Sequence, residues 1–152
     1  MSIADPYRTS GKLDGACLCG AVRITVDGDY IAAIGVCHCG ICQRSNGVVW
    51  GAFQANADAV TVEGDVASYA STEFATRTFC PTCGSNLWLR DNEEGAVYEL
   101  MPALFPDAAG FPVISEIYTD CAPSYAALAG DHRRATKAEY EAKNRHVTEG
   151  TA

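Results

Sequence analysis

Three tight clusters of cysteine constrain this chain more than any other feature. Seven of its eight cysteines fall in the segments Cys17-Leu18-Cys19, Cys37-His38-Cys39-Gly40-Ile41-Cys42 and Cys80-Pro81-Thr82-Cys83. Each segment is short enough for its thiolates to converge on one metal ion. Because thiolates are soft ligands, a tetrahedral set of sulfur atoms selects Zn²⁺ or an iron–sulfur cluster over Mg²⁺ or Ca²⁺. The sequence therefore predicts a metal-binding protein, with zinc as the first expectation.

The number of cysteines in each cluster indicates how the clusters combine. A structural zinc site takes four ligands, which the first and third clusters supply together, whereas either of them added to the middle cluster supplies five. The middle cluster is left with three ligands and a vacant fourth position, a pattern typical of a zinc that binds water or substrate. We therefore predict up to two zinc ions per chain. The structural site comprises Cys17, Cys19, Cys80 and Cys83, and the open, catalytic site comprises Cys37, Cys39 and Cys42.

Disulfide bonds are the competing explanation for an even number of cysteines. Eight cysteines in 152 residues is below the density of small disulfide-bonded scaffolds, and a chain of this length can bury an ordinary core. Residues 1–15 contain no apolar run, so we expect neither a signal peptide nor a membrane anchor. These features favour metal ligation, and with it a reducing, cytoplasmic compartment.

The charge of the chain argues against a nucleic-acid partner. The formal net charge is −8 and the isoelectric point is near 4.7, and a four-thiolate zinc site would add further negative charge. Such a surface repels phosphate backbones, so we expect no nucleic-acid binding.

The pattern along the chain predicts a mainly antiparallel β fold with a short C-terminal helix. Val22, Ile24 and Val26 alternate with polar residues, which is typical of a half-buried strand, and we expect it to end at a turn over 27–29. Further strands are predicted over 31–37, 48–54, 60–63, 67–71, 76–79, 87–90, 97–101 and 114–119. A short helical turn is predicted over 123–129, a helix over 136–145, and a frayed end over 146–152.

The residues around the clusters fit metal ligation. In an extended segment, residues i and i+2 point to the same side, so each C-x-C pair presents both thiols together and turns His38 away from the metal. Gly84 can adopt a positive φ in the knuckle that contains Cys83. Cys121 is expected to be a small buried hydrophobic residue, with a fourth ligand of the open site as the alternative. The aromatic residues Trp50 and Phe53 are predicted to lie in the core.

The ordered cysteine motifs resemble those of a known family. They are Gly15-Ala-Cys17-Leu-Cys19-Gly20, Cys37-His-Cys39-Gly-Ile-Cys42-Gln43-Arg44, Phe79-Cys80-Pro-Thr-Cys83-Gly84-Ser85 and Ala122-Pro123. In this order they are similar to the glutathione-dependent formaldehyde-activating enzymes, which are also grouped with centromere protein V. The resemblance covers residues 11–130, with 1–10 as an N-terminal extension and 131–152 as a C-terminal helical tail. It implies a β-tent, in which small antiparallel sheets surround the structural zinc.

The resemblance also implies an activity, the combination of glutathione with formaldehyde to give S-hydroxymethylglutathione, formally a carbon–sulfur lyase reaction. A zinc held by the middle cluster would favour the glutathione thiolate, which is the nucleophile. Glutathione carries two carboxylates, so its site needs basic or N–H partners. Arg44 is the best placed basic residue. The other candidate substrate contacts are Gln43, Ser45, Asn46 and Gly47.

Three classes of function remain open on the sequence alone, because a fold and a metal do not fix a reaction. The chain is a zinc-dependent enzyme acting on glutathione and a small aldehyde or related electrophile, a non-catalytic carrier of glutathione or another small thiol, or a structural zinc module that binds proteins. The sequence does not indicate an oligomeric state. If the middle site is open, we expect it to hold metal less tightly than the four-cysteine site and to be more exposed to oxidation.

Overall fold

A computed structural model of the chain describes residues 1–147 and divides them into two compact units. The first unit comprises Met1–Ala33 and Ala52–Pro112, and the second comprises Ile34–Gly51 and the described residues from Val113 onward. The fold is mainly β, with two short α-helices in the part of the chain described. Neither of these helices is long and apolar enough to cross a membrane.

The first unit contains antiparallel strands connected by short loops. Strand β1 pairs with β2 along its whole length, and β5 pairs with the other edge of β2. The order β4-β9-β8-β7-β6 completes the pairing, again antiparallel throughout. The strands are β1 (Arg8–Ala16), β2 (Arg23–Ile31), β4 (Trp50–Ala55, from Ala52 onward), β5 (Val60–Glu63), β6 (Ala67–Ala70), β7 (Ala75–Phe79), β8 (Asn86–Asp91) and β9 (Tyr98–Leu100), with 3₁₀ turns at Asp5–Tyr7, Ala57–Ala59, Pro102–Leu104 and Pro106–Ala108.

The second unit is built on a small parallel sheet, which the sequence pattern did not indicate. Strand β10 lies between β3 and β11 and runs parallel to both. The elements of this unit are β3 (Ile34–Cys37), α1 (Gly40–Asn46), β10 (Val113–Ile117), β11 (Arg133–Ala135) and α2 (Lys137–Lys143), with 3₁₀ turns at Thr119–Cys121, Ser124–Ala126 and Arg145–Val147.

An aromatic cluster forms part of the core of the first unit. Phe53 is 1% exposed and meets the rings of Tyr30, Phe105 and Phe111 edge to face, with centroids 6.3, 5.2 and 5.5 Å away. Edge-to-face contact suits the positive edge and negative face of aromatic rings. Phe53 is therefore a core residue, as predicted, and Trp50 is also buried.

The strand that begins β2 is correctly predicted, but the turn expected over 27–29 is wrong. Strand β2 continues through these residues to Ile31, with Gly28 directly opposite Gly11 of β1. Gly28 has a φ of 144°, and an added Cβ there would lie 2.9 Å from the Cβ of Ala59. Gly28 is therefore explained by a positive φ within the strand and by a close contact with Ala59, and not by a turn.

Other predicted strands agree with the structure to differing degrees. Those over 60–63, 67–71, 76–79, 87–90 and 97–101 correspond to β5 through β9, and the one over 48–54 overlaps β4. The strand over 31–37 is interrupted, because Ala32 leaves the sheet and its N–H donates to the carbonyl of Tyr7 at 2.9 Å. The strand over 114–119 ends early, at Ile117, because Tyr118 adopts a left-handed conformation with a φ of 56°. Strands β1 and β11 and helix α1 were not predicted.

The C-terminal predictions are partly correct. Thr136 caps α2, and its side chain and that of Glu139 form a reciprocal capping box, which explains why the helix begins here. The region 123–129 contains only the 3₁₀ turn Ser124–Ala126. The predicted frayed end is wrong for His146 and Val147, which lie in a 3₁₀ turn, with Val147 buried. Residues 148–152 lie outside the described residues.

Candidate metal centres

The first and third cysteine clusters converge in the first unit, as the ligand arithmetic predicted. Cys17 and Cys19 lie in the loop after β1, and Cys80 and Cys83 lie in the loop between β7 and β8. All four sulfur atoms are within 4.8 Å of one another. The Cys17–Cys19 and Cys19–Cys80 sulfur distances are 3.6 and 3.8 Å. Four thiolates around a tetrahedral zinc, with Zn–S bonds of about 2.3 Å, stand about 3.8 Å apart, so this site fits zinc.

Backbone geometry around the four-cysteine site presents N–H groups to sulfur. The N–H of Val22 donates to the sulfur of Cys17 at 3.3 Å. Gly20 and Gly84 close the two knuckles with φ values of 78° and 76°, a conformation in which glycine is favoured. The positive φ predicted for Gly84 is confirmed. Such N–H contacts stabilise negative sulfur and so support a thiolate ligand set.

Ser85 connects the two knuckles and was not singled out as a site residue by the cysteine spacing. Its hydroxyl accepts a hydrogen bond from the N–H of Leu18 at 3.1 Å and lies 3.2 Å from the sulfur of Cys83. The side chain and backbone of Ser85 lower the pKa of Cys83 to about 5. Cys83 is therefore prepared to be a thiolate near neutral pH. The available sequence signal was a small hydroxyl residue directly after the Cys83-Gly84 pair.

The middle cluster forms a second, separate group in the second unit, here called the three-cysteine site. Cys37 ends β3, Cys39 precedes α1, and Cys42 lies in its first turn. All three are buried, and their sulfur atoms lie within 4.8 Å of one another. Three sulfur ligands fit a tetrahedral metal ion and leave one position for an exogenous ligand. By contrast, Cys19 of the four-cysteine site is exposed.

Helix α1 explains how the three thiols are brought together. Cys39 is its N-cap, and the sulfur of Cys39 accepts a hydrogen bond from the N–H of Cys42 at 3.4 Å. The sulfur of Cys37 accepts from the N–H of Cys39 at 3.5 Å. N-caps are usually Ser, Thr, Asp or Asn, so a thiol in this role concealed the helix from sequence analysis.

The electrostatics of the three-cysteine site require a compensating charge. Hydrogen bonds from the thiols of Cys37 and Cys42 hold the pKa of Cys39 far below its ordinary value. Hydrogen bonds of the Cys37 thiol with Cys39 and Cys42, together with burial, raise the pKa of Cys37. Without a cation, the cluster therefore favours a thiolate at Cys39 and a thiol at Cys37. Three thiolates in this buried space need a cation among them, which is what a metal ion supplies.

The candidate substrate contacts lie on and after helix α1. Arg44 is exposed, and its side chain makes no hydrogen bond or ion pair with the part of the chain that the structure describes. The amide nitrogen of Gln43 donates to the carbonyls of His38 and Cys121, at 2.7 and 2.9 Å. The hydroxyl of Ser45 donates to the carbonyl of Cys42 at 3.1 Å, and the amide of Asn46 donates to the carbonyl of Val49 at 3.2 Å. Gly47 is the C-cap of the helix, with a φ of 90°. Arg44 is thus the candidate whose donors stay available to a ligand.

Cys121 corrects one prediction. It ends the 3₁₀ turn Thr119–Cys121 and is exposed, so it is not a buried hydrophobic residue. Its sulfur does not belong to the group formed by Cys37, Cys39 and Cys42 within residues 1–147, so this geometry does not support the alternative of a fourth ligand. The left-handed Tyr118 redirects the chain after β10 and leaves Cys121 at the surface.

We expect the three-cysteine site to lose zinc before the four-cysteine site. One of its four ligands is exchangeable, so its metal is held by fewer protein bonds. Equilibrium competition of the zinc-loaded protein against a graded series of chelators should release one zinc at a chelator strength that leaves the other bound. In Cys39→Ser the more easily released zinc should be absent. Release of both zincs together, or first from the four-cysteine site, would contradict this order.

Comparisons with known proteins agree with the motifs. A family described as glutathione-dependent formaldehyde-activating enzyme matches residues 12–121, which is most of the chain. A curated protein of Halomonas elongata, named for the same family, is 33% identical over 88 residues. That match covers 52% of this chain and 56% of the relative, so the chain matches just over half the length of that relative.

A solved structure gives a similar result for the fold. The crystal structure of a Rhodobacter sphaeroides protein is similar to this chain with a TM-score of 0.50 and 25% sequence identity. The similarity covers 66% of this chain and 98% of that protein. The family match includes all seven clustered cysteines, which form the two groups described above. The chain therefore belongs to the glutathione-dependent formaldehyde-activating enzyme family.

Proposed function

We propose that the three-cysteine site activates the thiol of glutathione, or of a related small thiol, for addition to formaldehyde or a similar small aldehyde. The observation that carries this proposal is the convergence of three buried sulfur atoms among the described residues, which leaves one tetrahedral position for a fourth ligand. A zinc ion bound there would stabilise an incoming thiol as its thiolate at neutral pH. The four-cysteine zinc has a purely structural role in this proposal.

The reaction needs little further chemistry from the protein. The thiol releases its proton to water as the thiolate forms. The thiolate sulfur attacks the aldehyde carbon, a carbon–sulfur bond forms, and the carbonyl π electrons move to oxygen, which takes a proton back from water. The product is the hemithioacetal, S-hydroxymethylglutathione when the reactants are glutathione and formaldehyde. Burial of Cys37, Cys39 and Cys42 limits water around the reacting sulfur. The chain would thus act as a carbon–sulfur lyase, by orientation and by selection of the thiolate.

Arg44 is proposed to bind a carboxylate of glutathione. It is two residues beyond Cys42 on the same short helix, and its guanidinium has no partner within residues 1–147. A guanidinium can bind a carboxylate with two parallel hydrogen bonds. This contact would offset the repulsion between an acidic ligand and a chain of net charge −8. Gln43, Ser45, Asn46 and Gly47 are proposed to shape the surrounding surface through backbone and remaining polar groups.

The wider assignments are part of the same proposal. The sheets are inferred to form the β-tent of the family over a domain spanning 11–130. Eight free cysteines fit a reducing compartment, so we infer a cytoplasmic location. A small-thiol carrier and a structural zinc module remain the alternatives. Turnover distinguishes the enzyme from both, and glutathione binding distinguishes the carrier from the module.

The rate of exchange between free glutathione and its formaldehyde adduct tests the proposal. Because this reaction also proceeds without a catalyst, the rate with protein is compared with the uncatalysed rate. With both metal sites loaded, wild type should accelerate the exchange measured by magnetization-transfer NMR. Cys39→Ser should remove the acceleration, and Arg44→Ala should weaken it about tenfold, the loss expected for one charge-assisted hydrogen bond. An exchange rate equal to the uncatalysed rate in loaded wild type would contradict the enzyme and leave the carrier or the module.

A further inference from the structure

His38 lies between the ligands Cys37 and Cys39 and is held at three points. It is completely buried. Its N–H donates to the carbonyl of Ile117 at 3.1 Å, and its carbonyl accepts from the amide of Gln43 at 2.7 Å. Its ring nitrogens do not belong to the three-sulfur group within the described residues, and its Nε2 lies 2.6 Å from Oε1 of Glu116. The residue between two ligands is thus fixed through both main chain and side chain.

Glu116 is the centre of a buried polar cluster that sequence analysis missed. It is 4% exposed and lies on β10, directly opposite Val36 of β3. Its second oxygen, Oε2, is 2.6 Å from Nε2 of His132 and 3.2 Å from Nε of Arg134. The cluster therefore joins the segment that carries the cysteine ligands to β11.

The carboxylate determines how His38 is oriented. An ionised carboxylate accepts hydrogen bonds only, so the facing Nε2 of His38 must carry the hydrogen. The other ring nitrogen, Nδ1, is buried without a hydrogen-bond partner in the described part of the chain, and this is tolerable when it is the unprotonated nitrogen. Within the described residues, the hydrogen bond to Glu116 is therefore the only one that orients the ring.

We propose that Glu116 is a positioning residue for the three-cysteine site, which holds His38 and thereby the main chain between Cys37 and Cys39 in the conformation that directs both thiols to one metal. The inference rests on the proposed metal binding at this site. A buried charge is expensive, and apolar residues could join the strands equally well. A carboxylate here is explained if it fixes one orientation of the ligand segment.

Hydrogen-bond partners outside the ligand set commonly change metal affinity 10–100-fold. Because Glu116 acts on the metal site only through His38, we expect its loss to weaken metal binding by about tenfold, the lower end of this range. His38→Leu removes the contact but leaves Glu116 paired with His132 and Arg134, so this variant should fold. His38→Gln keeps an N–H donor at a similar distance along the side chain and should restore the contact. Glu116→Gln keeps an acceptor oxygen but removes the charge, so the hydrogen bond from His38 becomes a weaker, neutral one.

The experiment uses full-length protein with one equivalent of zinc in the four-cysteine site, titrated with cobalt(II) against a competing chelator. Thiolate-to-cobalt absorption reports occupancy of the three-cysteine site. His38→Leu and Glu116→Gln should weaken cobalt binding about tenfold, and His38→Gln should bind within about twofold of wild type. The matched control is Thr78→Val, which removes a buried side chain's hydrogen bond to Ser68 in the other unit and should leave cobalt binding unchanged.

Each other outcome has a definite meaning. Wild-type affinity in both His38→Leu and Glu116→Gln would overturn the positioning role and leave the proposed function intact. Equal weakening in Thr78→Val, or an equal loss of zinc from the four-cysteine site, would overturn it in favour of general destabilisation. Absence of cobalt binding in wild type would overturn the proposed function and this inference together. If Glu116→Gln does not fold, the cobalt affinities of His38→Leu and His38→Gln test the inference by themselves, and equal affinities would overturn it.

Discussion

Cys80→Ser is expected to prevent stable folding, whereas Cys39→Ser should leave a folded protein. Cys80 is completely buried and its sulfur lies 3.8 Å from that of Cys19, which is 61 residues earlier in the chain. A zinc there cross-links the β1–β2 and β7–β8 loops. Structural zinc contributes about 10–16 kcal/mol of apparent binding energy in small domains, comparable to the entire stability of a domain, about 5–15 kcal/mol. Loss of one of four ligands removes much of that energy.

Cys39→Ser affects a different kind of site. The three-cysteine site joins residues only five positions apart, Cys37 to Cys42, so its metal cross-links little of the chain. We expect a cooperative melt near that of wild type and the loss of one metal ion. Cys121→Ser is the control for loss of an exposed thiol. Circular dichroism melts, size-exclusion chromatography and metal analysis make the comparison, and equal melting temperatures for Cys80→Ser and Cys39→Ser would contradict the assignment of the two sites.

Gly64→Ala is expected to destabilise the protein by about 3 kcal/mol, through a backbone clash next to the structural site and an unfavourable φ. Gly64 follows β5 with a φ of 98°, and a Cβ there would lie 2.1 Å from the carbonyl oxygen of Ala21. The carbonyl oxygen of Ala21 belongs to the main chain, and the position of the added Cβ is fixed by the main chain. Neither atom can therefore rotate away from the other. Displacing Ala21 would move Val22, whose N–H donates to the sulfur of Cys17.

Gly95→Ala is the matched control for this prediction. Gly95 has a φ of 74°, but nothing lies within 4 Å of an added Cβ. It should cost only the strain of a positive φ, about 1 kcal/mol. For a domain of this size the melting temperature should then fall by about 6–12 °C for Gly64→Ala and by about 2–4 °C for Gly95→Ala. Equal melting temperatures of the two variants would show that the clash with Ala21 is relieved without cost.

The grouping of the cysteines could be predicted from sequence because metal coordination is a counting problem with strict geometry. Four ligands and three ligands are different kinds of site, and only one combination of the clusters gives both. Short strands such as β5 were predictable for a similar reason, since their alternation of half-buried and exposed residues is local. These features need no knowledge of which distant segments meet.

Features that depend on distant partners were missed. Strand β1 is largely exposed and polar, and it is stabilised by pairing with β2, so its own residues carry little strand signal. The parallel arrangement of β3 and β10 joins segments about 80 residues apart, as does the contact of His38 with Glu116. Helix α1 was concealed because its N-cap is also a proposed metal ligand. At such positions, local sequence preference reflects the site more than the secondary structure.

The most direct test of the proposed function is the cobalt spectrum of the three-cysteine site during titration with glutathione. A fourth thiolate changes the absorption of a tetrahedral cobalt site. With zinc in the four-cysteine site and cobalt in the other, millimolar-order glutathione should change the spectrum of wild type, and Arg44→Ala should require more glutathione for the same change. Cys39→Ser should show no such response. An unchanged wild-type spectrum, with both metal sites confirmed full, would contradict thiol activation at this site and favour a purely structural role for the metals.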